Sequence, residues 1–412
     1  MLLRFDGFEK TYNESIWDYV DAFKSAFILQ DGPGAGYRSS VEFPHYAYEI
    51  MNTGFSIGPL LMYDMTGAGS IVKIAFYWRA RPALGDSEFF CLVSGSSGTY
   101  RKAFSLAIRN GSIPSGPKAG AYGQLQVWST TDAQPTSGAL ENFHGSKIAY
   151  TTGNVIDPLQ WYLVQIVYTK GSKTFEVYLD GDLVMTGTCL GPADVKYAAL
   201  RWESFGSNRT CFDDLYVVDN DGAGQISDFV TAAHITYSSP ISDAVAEWET
   251  YGVSGSPPLY TVVNDRGSGG FDGMQTGTSG RRALFTMQNA PIGTPVYGVL
   301  FKLQLVQKEE GGTTTAIVFG RINGVDYDIV SFDVPYDVRQ TYPSLGGYYI
   351  PTFVSWKNND PRGGPWQYED FVGGWRFGVR HGGGATLRCT AFSVERFHES
   401  AEGGSGSRYI SF

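Results

Sequence analysis

The sequence predicts an all-β protein made of two antiparallel β-sandwich (jelly-roll) domains in tandem. Three observations support this fold class. Glycine accounts for 52 of the 412 residues, close to twice its usual share and typical of turn-rich chains. Aromatic residues reach 15% while charged residues supply only 17%, a balance that neither coiled coils nor disordered chains show. Apolar residues with a period of two, typical of half-buried strands, recur along the chain.

Length and turn-rich stretches define the domain organisation. At about 150 residues per domain, a chain of 412 residues is long enough for two large sandwiches. We predict a first sandwich over 1–222, a second over 223–398, a polar linker at 219–224 and a flexible tail over 399–412. The tail ends in Arg408-Tyr409-Ile410-Ser411-Phe412, whose alternating apolar residues are suited to adding a strand to a neighbouring chain. A frayed end without a role is the favoured alternative.

The first domain opens with a helical pattern and continues in strands. A short amphipathic helix, or a helical turn against a sheet, is predicted from the spacing of four apolar residues, namely Ile16, Val20, Phe23 and Phe27. Period-two runs bounded by Gly, Ser and Pro clusters predict the strands that follow. These strands are expected at 71–79, 88–93, 104–109, 125–128, 161–168, 174–179 and 212–218.

The second domain shows the same strand pattern. Strands are expected at 298–308, 315–322, 327–334, 374–380 and 385–397. In the last strand, every second residue is predicted to be less exposed than its neighbours: Leu387, Cys389, Ala391 and Ser393.

Short polar turns connect several of these strands. Lys170-Gly171-Ser172-Lys173 and Asp180-Gly181 predict two successive tight turns, and therefore three consecutive antiparallel strands. In the second domain we expect hairpin turns at Glu309–Thr314 and at Asn323-Gly324. The Asn-Gly pair favours a type I′ turn because both residues tolerate a left-handed backbone.

Three motifs of the first domain occur in the order of a known family. They are Trp161-Tyr162-Leu163-Val164-Gln165-Ile166, Phe175-Glu176-Val177-Tyr178-Leu179-Asp180-Gly181 and Phe212-Asp213-Asp214-Leu215-Tyr216-Val217. In this order the motifs resemble the concanavalin A-like (laminin G-like) jelly-roll family, over roughly the first half of the chain. The resemblance implies that Arg4-Phe5-Asp6-Gly7-Phe8-Glu9 forms a first strand beside the last one.

The combination of both domains resembles tail or head-associated virion proteins of double-stranded DNA bacteriophages. The motifs that carry this likeness are Phe212–Asp219, Gly298–Leu305 and Trp366–Arg380. The resemblance implies a structural protein present in many copies, whose partners are other virion proteins and copies of itself. It also implies location in the virion, after synthesis in the host cytoplasm.

Charge and hydropathy argue against two classes of partner. The formal net charge is −10, and no basic run is longer than Arg281-Arg282, so direct nucleic-acid binding is not expected. The sequence contains no apolar stretch of about 18 residues, so we expect no membrane insertion. Met1–Gly7 offers no apolar segment before its charges, so we expect a soluble protein without its own signal peptide.

No motif predicts catalysis. The four cysteines are scattered and predicted to be buried thiols, namely Cys91, Cys189, Cys211 and Cys389. The five histidines have no metal-ligand spacing and are expected in loops or at the surface: His45, His144, His234, His381 and His398. Nucleophile-elbow, zincin, P-loop and deaminase signatures do not occur. We therefore expect no enzyme, and predict no catalytic, cofactor-binding or metal-ligating residues.

Two groups of acids were weighed against this expectation. Glycoside hydrolysis needs two carboxylates about 5.5 Å or 6.5–9.5 Å apart, but Glu88 and Glu176 each stand alone and are expected to be solvated strand positions. A structural Ca²⁺, which sandwiches resembling this one can bind, would use Glu9 and Asp213. The alternative for Asp213-Asp214 is a pair of acids marking a strand start or a turn.

Sugar binding through exposed aromatic rings is the remaining small-ligand hypothesis. The available tryptophans are Trp128, Trp202, Trp356, Trp366 and Trp375. Core packing is the default for all of them, with Trp356 and Trp366 as the best exceptions because they flank the Gly/Pro-rich loop 357–365.

The sequence therefore predicts a structural virion component, either of the tail or decorating the capsid. It would act through protein–protein contacts in a multi-copy assembly. The alternative is a carbohydrate-binding module for attachment to a host surface, and a glycan-active enzyme is the third hypothesis.

Overall fold

The structure is a computed structural model, and it describes most of the two strand-rich regions. The described residues are 2–6, 19–20, 26–29, 47–51, 60–80, 84–95, 101–110, 123–130, 146–153, 155–156, 160–205, 209–220, 226, 228–230, 233–264, 272–289, 295–309, 312–334, 336, 340–342, 347–349 and 352–399.

The chain forms two compact units. Unit 1 includes Met1–Val230 and unit 2 spans Thr231–Gly404. The domain boundaries expected from the sequence stay predictions.

Unit 1 contains fifteen named strands within its described residues. They are β1 (Leu2–Asp6), β2 (Tyr19–Val20), β3 (Ala26–Leu29), β4 (Ala47–Met51), β5 (Leu60–Asp64), β6 (Ile71–Ala80), β7 (Leu84–Ser94), β8 (Arg101–Asn110), β9 (Gln124–Ser129), β10 (Ser146–Tyr150), β11 (Trp161–Thr169), β12 (Thr174–Leu179), β13 (Asp182–Thr188), β14 (Tyr197–Phe205) and β15 (Arg209–Asp219).

These strands form two antiparallel sheets. One has eight strands in the order β13-β12-β11-β6-β15-β4-β3, with β1 also paired to β15. The other has seven strands in the order β10-β9-β8-β7-β14-β5-β2. From β4 to β7, and again from β13 to β15, successive strands alternate between the two sheets, as in a jelly roll.

An aromatic core joins the two sheets of unit 1. Phe76 of β6 stacks on Phe90 of β7 with ring centroids 5.4 Å apart, and Phe104 of β8 meets Phe175 of β12 at 5.3 Å. Buried aromatic side chains remove large apolar areas from water. Unit 1 is therefore a β-sandwich whose core lies between the two sheets.

Unit 2 contains thirteen named strands and one α-helix within its described residues. They are β16 (Ala233–Ser238), β17 (Pro240–Ala246), β18 (Glu249–Tyr251), α1 (Leu259–Val263), β19 (Gly273–Thr276), β20 (Arg282–Met287), β21 (Val296–Gln307), β22 (Thr314–Ile322), β23 (Val325–Val334), β24 (Gln340–Tyr342), β25 (Gly347–Tyr349), β26 (Thr352–Lys357), β27 (Arg376–Gly383) and β28 (Leu387–Glu399). A π-helical turn, Asp370–Gly374, precedes β27.

Unit 2 is a second antiparallel sandwich. A six-stranded sheet has the order β18-β19-β28-β21-β26, with β16 also paired to β28. The facing five-stranded sheet has the order β17-β20-β27-β22-β23, and β24 and β25 form a separate hairpin. Phe301 of β21 meets Phe377 of β27 at 5.2 Å, and Phe285 of β20 meets Phe392 of β28 at 5.6 Å, so the core again lies between the sheets.

The structure confirms the predicted fold class and the tight turns. Strands β11, β12 and β13 are three consecutive antiparallel neighbours. Lys173, Asp180 and Asn323 have positive φ angles of 59°, 53° and 51°, the left-handed backbone that such turns require. Strand β1 pairs with β15, as the family resemblance implied.

The predicted amphipathic helix over residues 16–27 is wrong for the part of that segment that the structure describes. Its described residues lie in strands β2 and β3, which pair with β5 and β4. Four apolar residues at helical spacing cannot distinguish a helix from two short strands, because pairing with neighbouring strands satisfies the backbone equally well.

Three other local expectations need correction. Glu309–Thr314 is not a hairpin turn, because β21 and β22 belong to different sheets. Strand β27 begins at Arg376, two residues after the expected start at Gly374, because the π-helical turn comes first. Asp219 ends β15 and is buried, and Asn220 hydrogen-bonds Ile71, so the linker does not begin at 219.

The predicted alternation in the last strand also fails. Gln304 of β21 pairs with Ala391, and the next residue, Leu305, pairs with Cys389. Thr390 is therefore an extra residue, a β-bulge that changes which side chains face the core. As a result Cys389 and Thr390 are both buried, whereas Ala391 is half-buried.

Candidate functional site

The first candidate acid, Glu88, is part of a buried ion pair. Lys102 Nζ donates to Glu88 Oε2 over 2.9 Å, and the exposed fractions of the two side chains are 1% and 0%. The expectation of a solvated strand position is therefore wrong for Glu88. The sequence concealed the pair because its members lie on neighbouring strands, β7 and β8, fourteen residues apart.

A β-bulge places Glu88 away from the core. Glu88 pairs with Ala107 and Phe90 with Leu106, so Phe89 is the extra residue. Phe89 and Phe90 both lie beside Phe76 in the core. Glu88 therefore lies on the other face of the seven-stranded sheet. Its Cα partner on β14 is Glu203, whose side chain lies outside the described residues.

Unit 2 contains a second buried pair of the same type. Lys302 of β21 is hydrogen-bonded to Glu395 of β28, and neither side chain is more than 2% exposed. Lys302 lies between Phe301 and Leu303, which both belong to the core cluster, so the ion pair lies on the opposite face of its sheet. Each sandwich thus uses a carboxylate and an ammonium to hold two central strands together.

Glu176 and Asp213, the other two acids considered above, each have a polar partner. Glu176 is half-buried and accepts a hydrogen bond from Tyr178 Oη over 2.6 Å, which raises the pKa of Tyr178. Asp213 is fully buried and its Oδ1 accepts the backbone N–H of Asp214 over 2.8 Å. Asp213-Asp214 lies within β15, at a register irregularity, rather than at the start of the strand.

The predicted calcium site is only partly described. Glu9 lies outside the described residues. Among the residues that the structure does describe, no three His, Cys, Asp or Glu side chains are arranged to hold a metal ion. The structural Ca²⁺ stays a prediction that rests on the family resemblance.

The tryptophans divide between core and surface. Trp366, one of the two expected sugar-binding exceptions, is only 2% exposed and donates its Nε1–H to Lys357 O over 2.8 Å, so this expectation is wrong. It packs on Phe371 and Trp375. Trp356 and Trp128 are half-buried. The side chain of Trp202 lies outside the described residues.

The cysteines and histidines are mostly buried where they are described. Cys91, Cys189 and Cys389 are buried thiols, as predicted. Burial raises the pKa of Cys189 and Cys389 to about 12, so both thiols are protonated at neutral pH and unreactive.

Two histidines contradict their predicted surface location. His381 is 1% exposed and His398 is 2% exposed. The side chains of the other three lie outside the described residues.

A surface that sequence reasoning missed lies where two terminal strands of unit 1 meet. Strand β10 ends the seven-stranded sheet, β13 ends the eight-stranded sheet, and the two strands contact each other. Tyr150 of β10 is 56% exposed, Leu183 of β13 is 53% exposed, and Leu190, two residues after β13, is 43% exposed. We call Tyr150, Leu183 and Leu190 the edge surface. The sequence indicates this surface only through apolar residues at strand positions that are expected to face water.

Polar and aromatic groups adjoin Tyr150 on the same sheet. Lys147 Nζ lies 4.8 Å from the centroid of the Tyr150 ring. On β9, Trp128 Nε1 donates to Gln126 Oε1 over 3.0 Å, and Gln126 Nε2 donates to Gln124 Oε1 over 3.1 Å. Tyr150 is the Cα partner of Gln126. An exposed ring beside amides and a cation can provide both stacking and hydrogen bonds.

Membrane insertion has no helical support in the described part of the chain. None of the helices found there is long and apolar enough to span a bilayer.

Comparisons with known proteins return only distant likenesses. No family model matches the chain, and no curated protein matches it. The T. cruzi calreticulin globular domain is 8% identical with a TM-score of 0.34, and the match covers 54% of this chain and 89% of that one.

Two further structures show similarly low values. The galectin LEC-6 of Caenorhabditis elegans is 12% identical with a TM-score of 0.24, and the match covers 45% of this chain and 100% of that one. A sialidase is 12% identical with a TM-score of 0.31. The match covers 44% of this chain and only 16% of the sialidase. These values are too low to assign a family or a function.

Proposed function

We propose that this chain is a non-catalytic structural protein that assembles in several copies through protein–protein contacts, as a component of a bacteriophage virion. The observation that supports this function is the edge surface. Tyr150 and Leu183 are exposed apolar side chains on the strands that end the two sheets of one sandwich, and Leu190 is an exposed apolar residue just after β13. Exposed apolar side chains grouped in this way are typical of protein interfaces.

The charged side chains of the two sandwiches support the same function. The Glu88–Lys102 and Lys302–Glu395 pairs are buried and tie neighbouring strands together. A buried carboxylate held by an ammonium group is poorly placed to exchange protons with a substrate. These charges therefore serve rigidity, which a repeated structural subunit requires.

The chemistry of the edge surface favours another protein as the partner. Leucine side chains bury well against apolar protein surface but contribute no directed polar contacts. Terminal strands can also accept further strands, because one side of their backbone has no neighbour in the sheet. We propose that the edge surface of unit 1 contacts a second subunit.

The test is the oligomeric state of the full chain, measured by analytical ultracentrifugation over a concentration series. We expect wild type to form a defined oligomer and Leu183→Asp to raise its dissociation constant at least tenfold. Val325→Asp is the matched control, because Val325 is 52% exposed against 53% for Leu183 but lies in unit 2. A monomeric wild type, or an equal effect of both substitutions, would contradict the proposal.

Location in a particle needs a separate experiment. Electron microscopy of purified virions labelled with an antibody against this chain is expected to show density at repeated positions. Label on host membranes alone, with bare virions, would refute the virion assignment and leave the oligomer result intact.

Carbohydrate binding is the second candidate, and one specific observation favours it. Tyr150 presents an exposed ring next to Lys147 and the Gln124–Gln126–Trp128 hydrogen-bond series. Saturable binding to one oligosaccharide by calorimetry, lost in Tyr150→Ala but kept in Leu183→Asp, would support this function. Loss in both variants would instead indicate that assembly is needed for binding.

A further inference from the structure

Among the described residues of unit 2, one buried cation has no carboxylate beside it. Arg396 lies in β28 between β16 and β21, where its Cα partners are Thr236 and Val299. The residue is 3% exposed. Its Nη2 donates to Gln288 O over 3.4 Å, and its guanidinium lies 5.2 Å from the centroid of the Phe371 ring. Its Nε is buried and makes no hydrogen bond to the part of the chain that the structure describes.

This arrangement leaves most of the donors of Arg396 unused. A guanidinium has five N–H donors in a planar fork that fits the two oxygens of a carboxylate or phosphate. One long hydrogen bond to a carbonyl and one ring contact compensate for only part of the hydration that the guanidinium loses on burial. Burial lowers the pKa of Arg396 to about 9, so the group is still charged at neutral pH.

The rest of the protein shows how buried cations are otherwise accommodated. Lys102 is paired with Glu88, and Lys302 is paired with Glu395. An unpaired charge at a comparable depth is much more costly than a paired one. Arg396 is therefore a buried cation for which the described residues provide no acidic partner.

Polar groups surround this position at one end of the sandwich. Thr236 Oγ1 lies 3.1 Å from His398 Nε2, and Ser238 Oγ donates to Gln288 O over 2.7 Å. Thr236, Ser238 and His398 are all buried. Gln288 is half-buried and the following residue is exposed, so the group lies close to the surface. Hydroxyl, imidazole and guanidinium groups together are the usual donors for an oxyanion.

We propose that Arg396 is the centre of a binding site for a small oxyanion, a carboxylate or a phosphate, at the end of unit 2 formed by β16, β28 and Gln288. The anion would face the guanidinium group and accept a hydrogen bond from its Nε. This site is separate from the edge surface and does not depend on the proposed function.

The first experiment is calorimetric titration of the full chain with sodium phosphate and with sodium acetate, against sodium chloride at matched ionic strength. We expect saturable heat with phosphate or acetate and none with chloride, and a matching rise in the melting temperature. A response to phosphate alone or to acetate alone identifies the ligand class, and either result supports the site. No saturable binding of either anion would overturn the proposal.

The second experiment distinguishes a binding site from a structural arginine. Arg396→Met keeps the length of the side chain but removes its charge. Without added anion we expect this variant to melt at a higher temperature than wild type, and we expect it to lose the anion response. A purely structural arginine predicts the reverse, a lower melting temperature and an unchanged response.

Two further variants keep the test decisive. Arg388→Met is the control, since Arg388 lies on the same strand but stacks on Tyr251 at 4.4 Å and bonds Gln275. It should keep the anion response. If Arg396→Met does not fold, Arg396→Lys retains the charge without the fork, and we expect at least tenfold weaker anion binding. Unchanged affinity in Arg396→Lys would refute the site.

Discussion

Replacing Lys102 by Met tests whether the buried Glu88–Lys102 pair holds unit 1 together. The exposed fractions of the two side chains are 1% and 0%, so solvent cannot screen the carboxylate that Lys102→Met leaves behind. Breaking a buried pair in this way costs about 3–5 kcal/mol, whereas replacing both partners by apolar residues is about neutral. We therefore expect Lys102→Met to be strongly destabilising and Glu88→Leu/Lys102→Met to recover most of the loss.

Hydrogen exchange of the full chain measures this effect separately in each unit. At 1.4 kcal/mol for each factor of ten, we expect the slowest amides of β7 and β8 to exchange roughly 100- to 5,000-fold faster in Lys102→Met. The amides of β21 and β28, in unit 2, are the internal control. Lys302→Met should produce the converse pattern, because its partner is Glu395 in unit 2.

Two results would refute this reasoning. If Lys102→Met costs less than about 1 kcal/mol, the value of an exposed pair, the Glu88 carboxylate is not trapped in the interior. If the double variant is as unstable as the single one, the loss comes from packing rather than from charge. A double-mutant cycle reports the coupling between the two side chains directly.

Three other predictions concern unit 2. Gly378→Ala should destabilise unit 2 by about 1–3 kcal/mol or more in thermal unfolding, because its Cβ would lie 2.0 Å from Ala283 O. Gly364→Ala is the control and should be neutral, because its Cβ would have open space. Hydrogen bonds from arginines lower the pKa of Asp326. Its contribution to stability is therefore present above an unfolded pKa of about 3.9 and is lost as the pH falls through the folded pKa. Asp326→Asn should reduce this loss of melting temperature at acidic pH, and an unchanged loss would refute the prediction. Asn323 has φ = 51°, so Asn323→Val should cost about 1–2 kcal/mol by urea unfolding while Asn323→Gly stays close to wild type.

The sequence predicted elements best where local chemistry decides the structure. The hairpin turn at Asn323-Gly324 and the turn at Asp180-Gly181 follow from residues that tolerate a left-handed backbone. Period-two runs such as Ile71–Ala80 predicted strands, because successive side chains of a strand face opposite sides of the sheet.

Where two distant segments must meet, the sequence carried little information. Glu88 looked like a solvated acid until the pairing of β7 with β8 placed Lys102 beside it. The extra residues of the two β-bulges, Phe89 and Thr390, change which face of the sheet the neighbouring side chains occupy. A bulge has no local sequence signature, because the partner strand determines which residue is left over.

The candidate surfaces depended on tertiary structure for the same reason. The sequence by itself determined a turn-rich, all-β chain with little charge and no catalytic motif. Only the sheet order showed that β10 and β13 are terminal strands that bring Tyr150 and Leu183 to one edge. Only packing showed that Arg396 is buried and that no described carboxylate lies beside it. Local propensity acts between near neighbours in the chain, whereas burial and charge pairing depend on strands that lie far apart in sequence.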